Sequence, residues 1–223
     1  MLCYVTDRRS FLAAPQKDSL DPLLEKIELA AAAGVDWIQL RERDLSGRLC
    51  ASLTREALHR VSNEVGRAKG RTRILVNDRL DVALAEQAGG VHLGEHSLPV
   101  QEAKRFLEGS PAAKSVPPGF LFGVSCHSLE AAQSAATAGA DYIFFGPVFA
   151  TPSKAAYGGP QGLDRLAELC TSLTIPVLAI GGITLENAPA CFSAGASGIA
   201  AIRLFQDSAD PASIVRAMRR QSF

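Results

Sequence analysis

The segment ATAGADYIFF, residues 136–145, contains the Ala-rich end of a helix, a glycine and a short apolar strand in direct succession. A glycine here permits the left-handed backbone conformation in which many helices end. Three other segments have the same order: AAAGVDWIQL (31–40), EQAGGVHL (86–93) and FSAGASGIAAI (192–202). The four recur at intervals of about fifty residues, roughly the length of two strand-helix units. The chain is therefore predicted to repeat a parallel-sheet unit.

Four more apolar runs lie in the intervals between these segments. They are LCYVT (2–6), RILVN (73–77), FLFGVS (120–125) and IPVLAIG (175–181). None alternates between apolar and polar residues, as expected of strands that are buried on both faces. With helical stretches between them, the eight strands predict a single (β/α)8 barrel domain over residues 1–223. A doubly wound open sheet is the second architecture that the pattern allows.

The charge balance and the cysteines narrow the class of protein. Lys plus Arg and Asp plus Glu both number 23, so no overall charge favours nucleic acid or an acidic membrane surface. No apolar run reaches the roughly 18 residues of a membrane span, and no leader pattern opens the sequence. The 5 cysteines have no metal-like spacing, which fits reduced thiols. We expect a cytoplasmic protein with small-molecule partners, and the sequence leaves open whether it is a homo-oligomer.

Polar residues and glycines follow the predicted strands, where barrels of this kind have their active sites. The candidates, in chain order, are Gln39, Arg41, Arg43, Asn77, Asp78, Glu95, Ser125, His127, Thr151, Ser153, Lys154, Gly181, Gly182, Ile202 and Arg203. His92 lies within a strand, so it is a weaker candidate.

Two of these strand ends suggest phosphate binding. IGGIT (180–184) places two glycines before a helix, so that backbone N–H groups can approach an anion, although a plain tight turn has the same pattern. The segment GPVFATPSK (146–154) offers Thr151, Ser153 and Lys154 to phosphate oxygens, although a solvated surface loop is equally consistent with it.

Three other positions have chemical alternatives. Arg41 follows an apolar strand, and a charge at a barrel mouth needs an anionic partner. Asn77 and Asp78 provide ligands for a hydrated Mg²⁺, or else Asp78 caps the next helix. His127 is a candidate proton-transfer group, although its spacing alone favours an ordinary polar residue near a helix start.

Seven segments together resemble the thiamin phosphate synthase/TenI family, in the order found in that family. They are YVTDR (4–8), IQLRERD (38–44), LVNDRLDVAL (75–84), GVHLGEHSLP (90–99), GVSCHSLEAA (123–132), ADYIFFGPVFATPSK (140–154) and IPVLAIGGIT (175–184). They cover nearly the whole chain. The family fold is a (β/α)8 barrel, which agrees with the strand count.

The resemblance implies one of two activities in thiamin biosynthesis. The synthase couples a pyrimidine methyl diphosphate to a thiazole phosphate, and needs Mg²⁺. TenI-like members convert the thiazole phosphate into its aromatic tautomer without a cofactor. A barrel that binds thiazole or thiamin phosphate without catalysis is the third interpretation. We favour the synthase.

The resemblance also assigns roles. In the synthase, residues matching Gln39, Arg41, Asn77, Asp78, Ser125, Thr151, Ser153 and Lys154 hold the diphosphate and pyrimidine, and Gly182 matches a contact to the thiazole phosphate. Arg41, Ser125, His127 and Lys154 are the predicted catalytic residues, and His127 matches the residue that moves protons in the tautomerase.

Three positions depart from the synthase pattern. Ser97 replaces a second metal-binding Asp, Arg43 replaces a Lys, and Arg203 replaces a Ser. Losing a carboxylate should weaken Mg²⁺ binding unless Glu95 substitutes for it. TenI-like members are similar to this chain at three places: Arg43, Ser97 in place of the second Asp, and the residues around His127.

Overall fold

Eight parallel strands form a closed barrel in the computed structural model, which describes residues 1–11, 19–65, 72–151 and 159–221. The strands are β1 (Leu2–Val5), β2 (Trp37–Leu40), β3 (Arg73–Asn77), β4 (Gly90–Leu93), β5 (Leu121–Cys126), β6 (Tyr142–Phe145), β7 (Val177–Ile180) and β8 (Gly198–Ala201). Each strand pairs with the next, and β8 pairs with β1. The predicted barrel is confirmed, and the open sheet is excluded.

Helices lie between the strands. They are α1 (Asp21–Ala33), α2 (Gly47–Val65), α3 (Leu80–Ala85), α4 (Val100–Glu108), α5 (Leu129–Thr137), α6 (Gly162–Ser172), α7 (Ala188–Ser193), α8 (Arg203–Gln206) and α9 (Pro211–Gln221). The single-turn helix α8, directly after β8, was not predicted from sequence. Short 3-10 helices cover Arg8–Phe11 and Pro111–Ser115.

The glycine prediction holds in three of the four repeated segments. Gly34 ends α1 with φ +88°, and its N–H donates to the carbonyls of Ala30 and Ala31. Gly139 and Gly195 also have positive φ. In EQAGGVHL the prediction is wrong, because α3 ends earlier and Gln87 takes the left-handed conformation at φ +57°. A single left-handed residue costs a non-glycine little enough for the surrounding structure to impose it.

The strands separate two apolar layers. The larger layer packs the outer strand faces against the helices, and the smaller one fills the barrel with Cys3, Val5, Leu75, Tyr142, Phe144, Leu178 and Ala200. Trp37 packs against the inner layer. Because side chains on one face recur every two residues, Gln39 and Asn77 follow Trp37 and Leu75 at the next inward positions toward the strand ends. The apolar filling of the barrel thus gives way to polar residues at its carboxyl-terminal mouth.

No helix within the described ranges combines the length and apolar character that a membrane crossing requires.

Candidate active site

Polar side chains from β2 and β3 are linked by hydrogen bonds at the mouth. Gln39, which is 2% exposed, donates from Nε2 to Oδ1 of Asn77 at 2.7 Å. Asn77 in turn donates from Nδ2 to Oδ2 of Asp78 at 2.6 Å. Of the residues predicted from sequence, these three are in direct contact. The chain of bonds fixes the amide orientations and leaves one edge of the Asp78 carboxylate for the neighbouring loop.

Asp78 connects the end of β3 to the loop after β4. Its Oδ1 accepts hydrogen bonds from the backbone N–H of Gly94 at 3.0 Å and from the hydroxyl of Ser97. The residue has φ +60°, a conformation that Asp tolerates better than most residues. Ser97, predicted as a departure from the synthase pattern, is therefore a hydrogen-bond donor to the remaining carboxylate.

These contacts bear on whether the site suits a metal ion. A carboxylate has about four acceptor positions, and three on Asp78 receive protein donors. One remaining position suits Mg²⁺, which is often held by one or two carboxylates and by substrate phosphates. No cluster of three or more His, Cys, Asp or Glu side chains suited to a metal occurs within the described part of the chain. The donor set thus fits a cation that takes a single ligand from the protein and its other ligands from elsewhere.

Glu95 and His127 lie together on the other side of this loop. Nε2 of His127 is 3.8 Å from Oε2 of Glu95, and Nδ1 contacts the carbonyl oxygen of Gly146. Because a carbonyl oxygen can only accept, Nδ1 is the protonated nitrogen. The bond to Gly146 therefore orients the His127 ring with Nε2 toward Glu95, and the role of Glu95 as a metal ligand stays a prediction.

Arg41 places a cation at the mouth. Its backbone N–H donates to the Thr6 hydroxyl at 3.0 Å, but its guanidinium has no hydrogen bond or ion pair within the described ranges. Burial lowers the pKa of Arg41, and the neighbouring Arg43 lowers it further. Asp7, Glu42 and Asp78 partly oppose this shift, but none of them forms an ion pair with the guanidinium. A half-buried cation without a directly bonded carboxylate is unfavourable in the ligand-free protein. Such a charge is suited to an anionic ligand.

Glu42 supports this segment, a role that was not predicted from the sequence. It is 8% exposed and accepts from the Thr6 hydroxyl at 2.6 Å and from the backbone N–H of Arg8 at 3.1 Å. Burial raises the pKa of Glu42. The contacts join the ends of β1 and β2 and hold the strand end that presents Arg41.

The turn after β7 packs on the loop after β6. Gly181 and Gly182 have φ values of +96° and +66°, and a Cβ atom on Gly181 would lie 2.5 Å from Cβ of Pro147. The N–H of Phe149 donates to the carbonyl of Gly181 at 3.0 Å. Glycine is therefore required for both conformation and space, and the turn fixes the beginning of the loop GPVFATPSK. Thr151 is the last described residue of that loop, and Ser153 and Lys154 lie outside the described residues.

The ends of β7 and β8 also expose backbone donors. The N–H groups of Gly181, Gly182 and Arg203 have no acceptor in the part of the chain that the structure describes. Ile202 packs against the inner apolar layer, and Arg203 is exposed at the start of α8. Unpaired N–H groups between two barrel strands are a common form of phosphate site.

His92 is the residue that sequence reasoning undervalued. It is 1% exposed, with Nδ1 3.0 Å from the Tyr142 hydroxyl and Nε2 2.8 Å from the Ser125 hydroxyl. Burial lowers the pKa of His92 to about 3. The sequence contained an indication of this role, because His92 is the one polar residue in the apolar strand GVHL (90–93). A buried histidine on such a strand needs hydrogen-bond partners on neighbouring strands.

A cavity of about 350 Å³ opens between the ends of β2 and β3, with Arg43, Asn77, Asp78 and Arg79 in its lining. This volume is within the range of small-molecule sites. Its lining includes both cationic and carboxylate groups.

Fold and site together define a (β/α)8 barrel enzyme with polar residues gathered at the carboxyl ends of its strands. A family model described as thiamine monophosphate synthase matches residues 10–205. The chain belongs to this family, the thiamin phosphate synthase/TenI family, and the resemblance drawn from the seven segments is confirmed.

Relatives and a solved structure agree with this assignment. The chain is 43% identical over 191 residues to the thiamine-phosphate synthase of Methanoculleus marisnigri, covering 86% of this chain and 83% of the relative. It is 42% identical over 190 residues to that of Methanocella arvoryzae, covering 85% and 82%. The structure of a thiamine phosphate pyrophosphorylase from Pyrococcus furiosus superposes with a TM-score of 0.78 at 30% identity, covering 99% of this chain and 94% of that one.

Proposed function

We propose that this chain is a thiamin phosphate synthase, a transferase that couples a pyrimidine methyl diphosphate to a thiazole phosphate and releases diphosphate. The names of its curated relatives support this activity. The observation that carries the proposal is the Arg41 guanidinium, half-buried and without a partner in the described ranges. A diphosphate supplies the direct anionic partner that this cation lacks.

In the proposed reaction, the C–O bond between the pyrimidine methylene and the diphosphate breaks, and a C–N bond to the thiazole nitrogen forms. The diphosphate leaves with the electron pair of the broken bond. Arg41 and Arg43, with Lys154 in the family pattern, stabilise the charge that accumulates on it. The protein contributes charge, orientation and exclusion of water, and no protein nucleophile is needed.

The remaining predicted residues divide between the two substrates. Gln39, Asn77, Ser125, Thr151 and Ser153 hold the diphosphate and pyrimidine. The thiazole phosphate binds at Gly181, Gly182, Ile202 and Arg203. The backbone N–H groups of Gly181 and Gly182, which lack acceptors within the described ranges, support an anion site there. The two sites are on β2–β6 and β7–β8, which lets both substrates meet over the barrel axis.

The proposal includes Mg²⁺, held by Asp78 and by oxygens of the diphosphate. The ion neutralises charge on the leaving group when it is bound. Asp78 is oriented for this by Asn77 and Gly94, which occupy other acceptor positions of its carboxylate.

A second candidate function is the tautomerase, which the contact between Glu95 and His127 favours. A carboxylate beside an imidazole is a common arrangement for moving protons. This activity would need neither Asp78 nor a metal ion.

We further propose a single-domain enzyme that works in the cytoplasm on small phosphorylated substrates. All 5 cysteines are free thiols, which supports a reducing compartment.

The test is a coupled pair of assays on the purified protein. One follows thiamin phosphate from both substrates with Mg²⁺, and the other follows aromatisation of the non-aromatic thiazole tautomer alone. Product in the first supports the synthase; silence there with conversion in the second identifies the tautomerase. Silence in both would leave a binding protein.

Arg41→Gln provides the matching variant. We expect kcat/KM for the diphosphate substrate to fall about 100-fold, while thermal stability rises because an unfavourable buried cation is removed. Arg105→Gln is the control, since Arg105 is an exposed cation paired with Glu102 on α4. Equal activity of the two variants would contradict the proposed role of Arg41.

A further inference from the structure

A hydrogen-bonded chain of three side chains runs from the barrel interior to its mouth. Tyr142 lies at the bottom, His92 in the middle and Ser125 at the carboxyl end of β5. Tyr142 and His92 are 0% and 1% exposed, and Ser125 is half-buried. The chain therefore connects a closed apolar interior with the polar mouth of the barrel.

The Tyr142 phenol determines the direction of the first bond. The centroid of its ring lies 4.6 Å from that of Trp37 and 5.3 Å from that of Phe144. A Cβ atom on Gly123 would lie 2.3 Å from the phenol oxygen, so the space around it is filled. Nδ1 of His92 is the phenol's one hydrogen-bond partner within the described ranges. A buried phenol hydrogen without an acceptor costs on the order of 1–3 kcal/mol. Tyr142 therefore donates, and Nδ1 accepts.

The direction of the second bond follows from the first. A neutral imidazole that accepts at Nδ1 carries its proton on Nε2, which lies 2.8 Å from the Ser125 oxygen. Nε2 must then donate to Ser125. The Ser125 hydrogen has no acceptor in the described part of the chain and is turned away from His92.

We infer that Tyr142 and His92 are positioning residues that commit Ser125 to donate its hydrogen bond to the ligand. The opposite tautomer would let Ser125 donate to His92 and present only lone pairs to the mouth, which would repel an anionic oxygen. The inference rests on the proposed function only for the ligand, an acceptor oxygen of the diphosphate substrate. The tautomer itself is a property of the ligand-free protein.

The first measurement is the tautomer of His92 in the free protein. Long-range ¹⁵N–¹H NMR spectra distinguish a protonated Nε2 from a protonated Nδ1. The signals of His92 are assigned as those lost in His92→Gln. We expect protonated Nε2, and protonated Nδ1 would overturn the inference whatever reaction the protein catalyses.

The second measurement is a double-mutant cycle between Tyr142→Phe and Ser125→Ala. Tyr142→Phe keeps the buried ring and should lower kcat/KM about tenfold, the value of one hydrogen bond. In the Ser125→Ala background the same substitution should have little further effect. A full tenfold loss in both backgrounds would show that Tyr142 acts by packing, and would refute the chain of bonds.

The two measurements separate the inference from the proposed function. If the wild type makes no thiamin phosphate, the synthase proposal fails and the NMR result still decides the hydrogen-bond direction. If it is active but has the other tautomer, only the inference fails.

Discussion

Arg41 and Asp78, two charged residues at the mouth, differ in how many hydrogen-bond partners the protein supplies to them. The Arg41 guanidinium has no partner in the described ranges, whereas the Asp78 carboxylate accepts from Asn77, Gly94 and Ser97. A cation that lacks acceptors is suited to bind an anion strongly, and a carboxylate already supplied with donors binds a cation weakly. We therefore expect the ligand-free site to bind anions more readily than free cations.

A substitution at Ser97 tests the expected weak binding of free cations. Ser97→Asp removes a donor to Asp78 and adds a second carboxylate, whose repulsion a divalent cation relieves. We expect binding of Mn²⁺, a probe for Mg²⁺ detected by electron paramagnetic resonance, to strengthen at least about tenfold in the ligand-free protein. The melting temperature should also become metal-dependent.

Ser97→Ala is the control for this prediction, since it removes the hydroxyl without adding charge. Comparable Mn²⁺ affinity in the wild type and Ser97→Asp would refute the idea that Ser97 weakens the free metal site. Addition of diphosphate should restore metal binding to the wild type.

At the scale of elements, the turn after β7 and the loop after β6 form one unit. Phe149 donates to Gly181, and a Cβ atom on Gly182 would lie 2.6 Å from the carbonyl oxygen of Ala150. The start of the loop GPVFATPSK is consequently held by the same turn that exposes the backbone donors. Changes in the turn should thus affect both proposed substrate sites.

Gly181→Ala tests this coupling, and Gly34→Ala is the matched control. Both residues have positive φ, but a Cβ atom on Gly34 would have no neighbour within 4 Å. Gly34→Ala should cost about 1 kcal/mol of stability and leave KM unchanged. Gly181→Ala should cost more stability and raise KM for both substrates in steady-state kinetics. A KM unchanged by Gly181→Ala would show that the turn is only structural.

At the scale of the whole molecule, barrel closure encloses His92 in the interior. Burial lowers the pKa of His92 to about 3 from its ordinary 6.5, so below pH 6.5 the unfolded chain takes up a proton that the folded protein does not. The stability that this group contributes is complete above pH 6.5 and is lost as pH falls toward 3.

Urea denaturation at several pH values measures this effect. His92 should add a slope of up to about 1.4 kcal/mol per pH unit to the loss of stability between pH 6 and 4. His92→Gln should flatten the slope, and His96→Gln, at an exposed position, should not. Parallel curves for the wild type and His92→Gln would contradict the burial of a neutral His92.

The repeated strand and glycine pattern was sufficient to predict the fold, because helix ends and apolar strands are local features of the chain. The candidates at the strand ends followed from the same pattern, since the carboxyl ends of parallel strands meet at one rim. Prediction was less successful where the local signal was weak. Gln87 takes the left-handed position expected of a glycine, and α8 is only one turn long.

The sequence by itself determined the barrel and its family, and it predicted a set of candidate residues at the mouth. Only the tertiary structure decided their partners: Ser97 with Asp78, Glu95 with His127, and His92 with Tyr142, which is 50 residues away in the chain. These contacts arise when the barrel closes and brings distant strands to one axis. The direction of a side chain within that space depends on every neighbour that shares it, which no local pattern encodes.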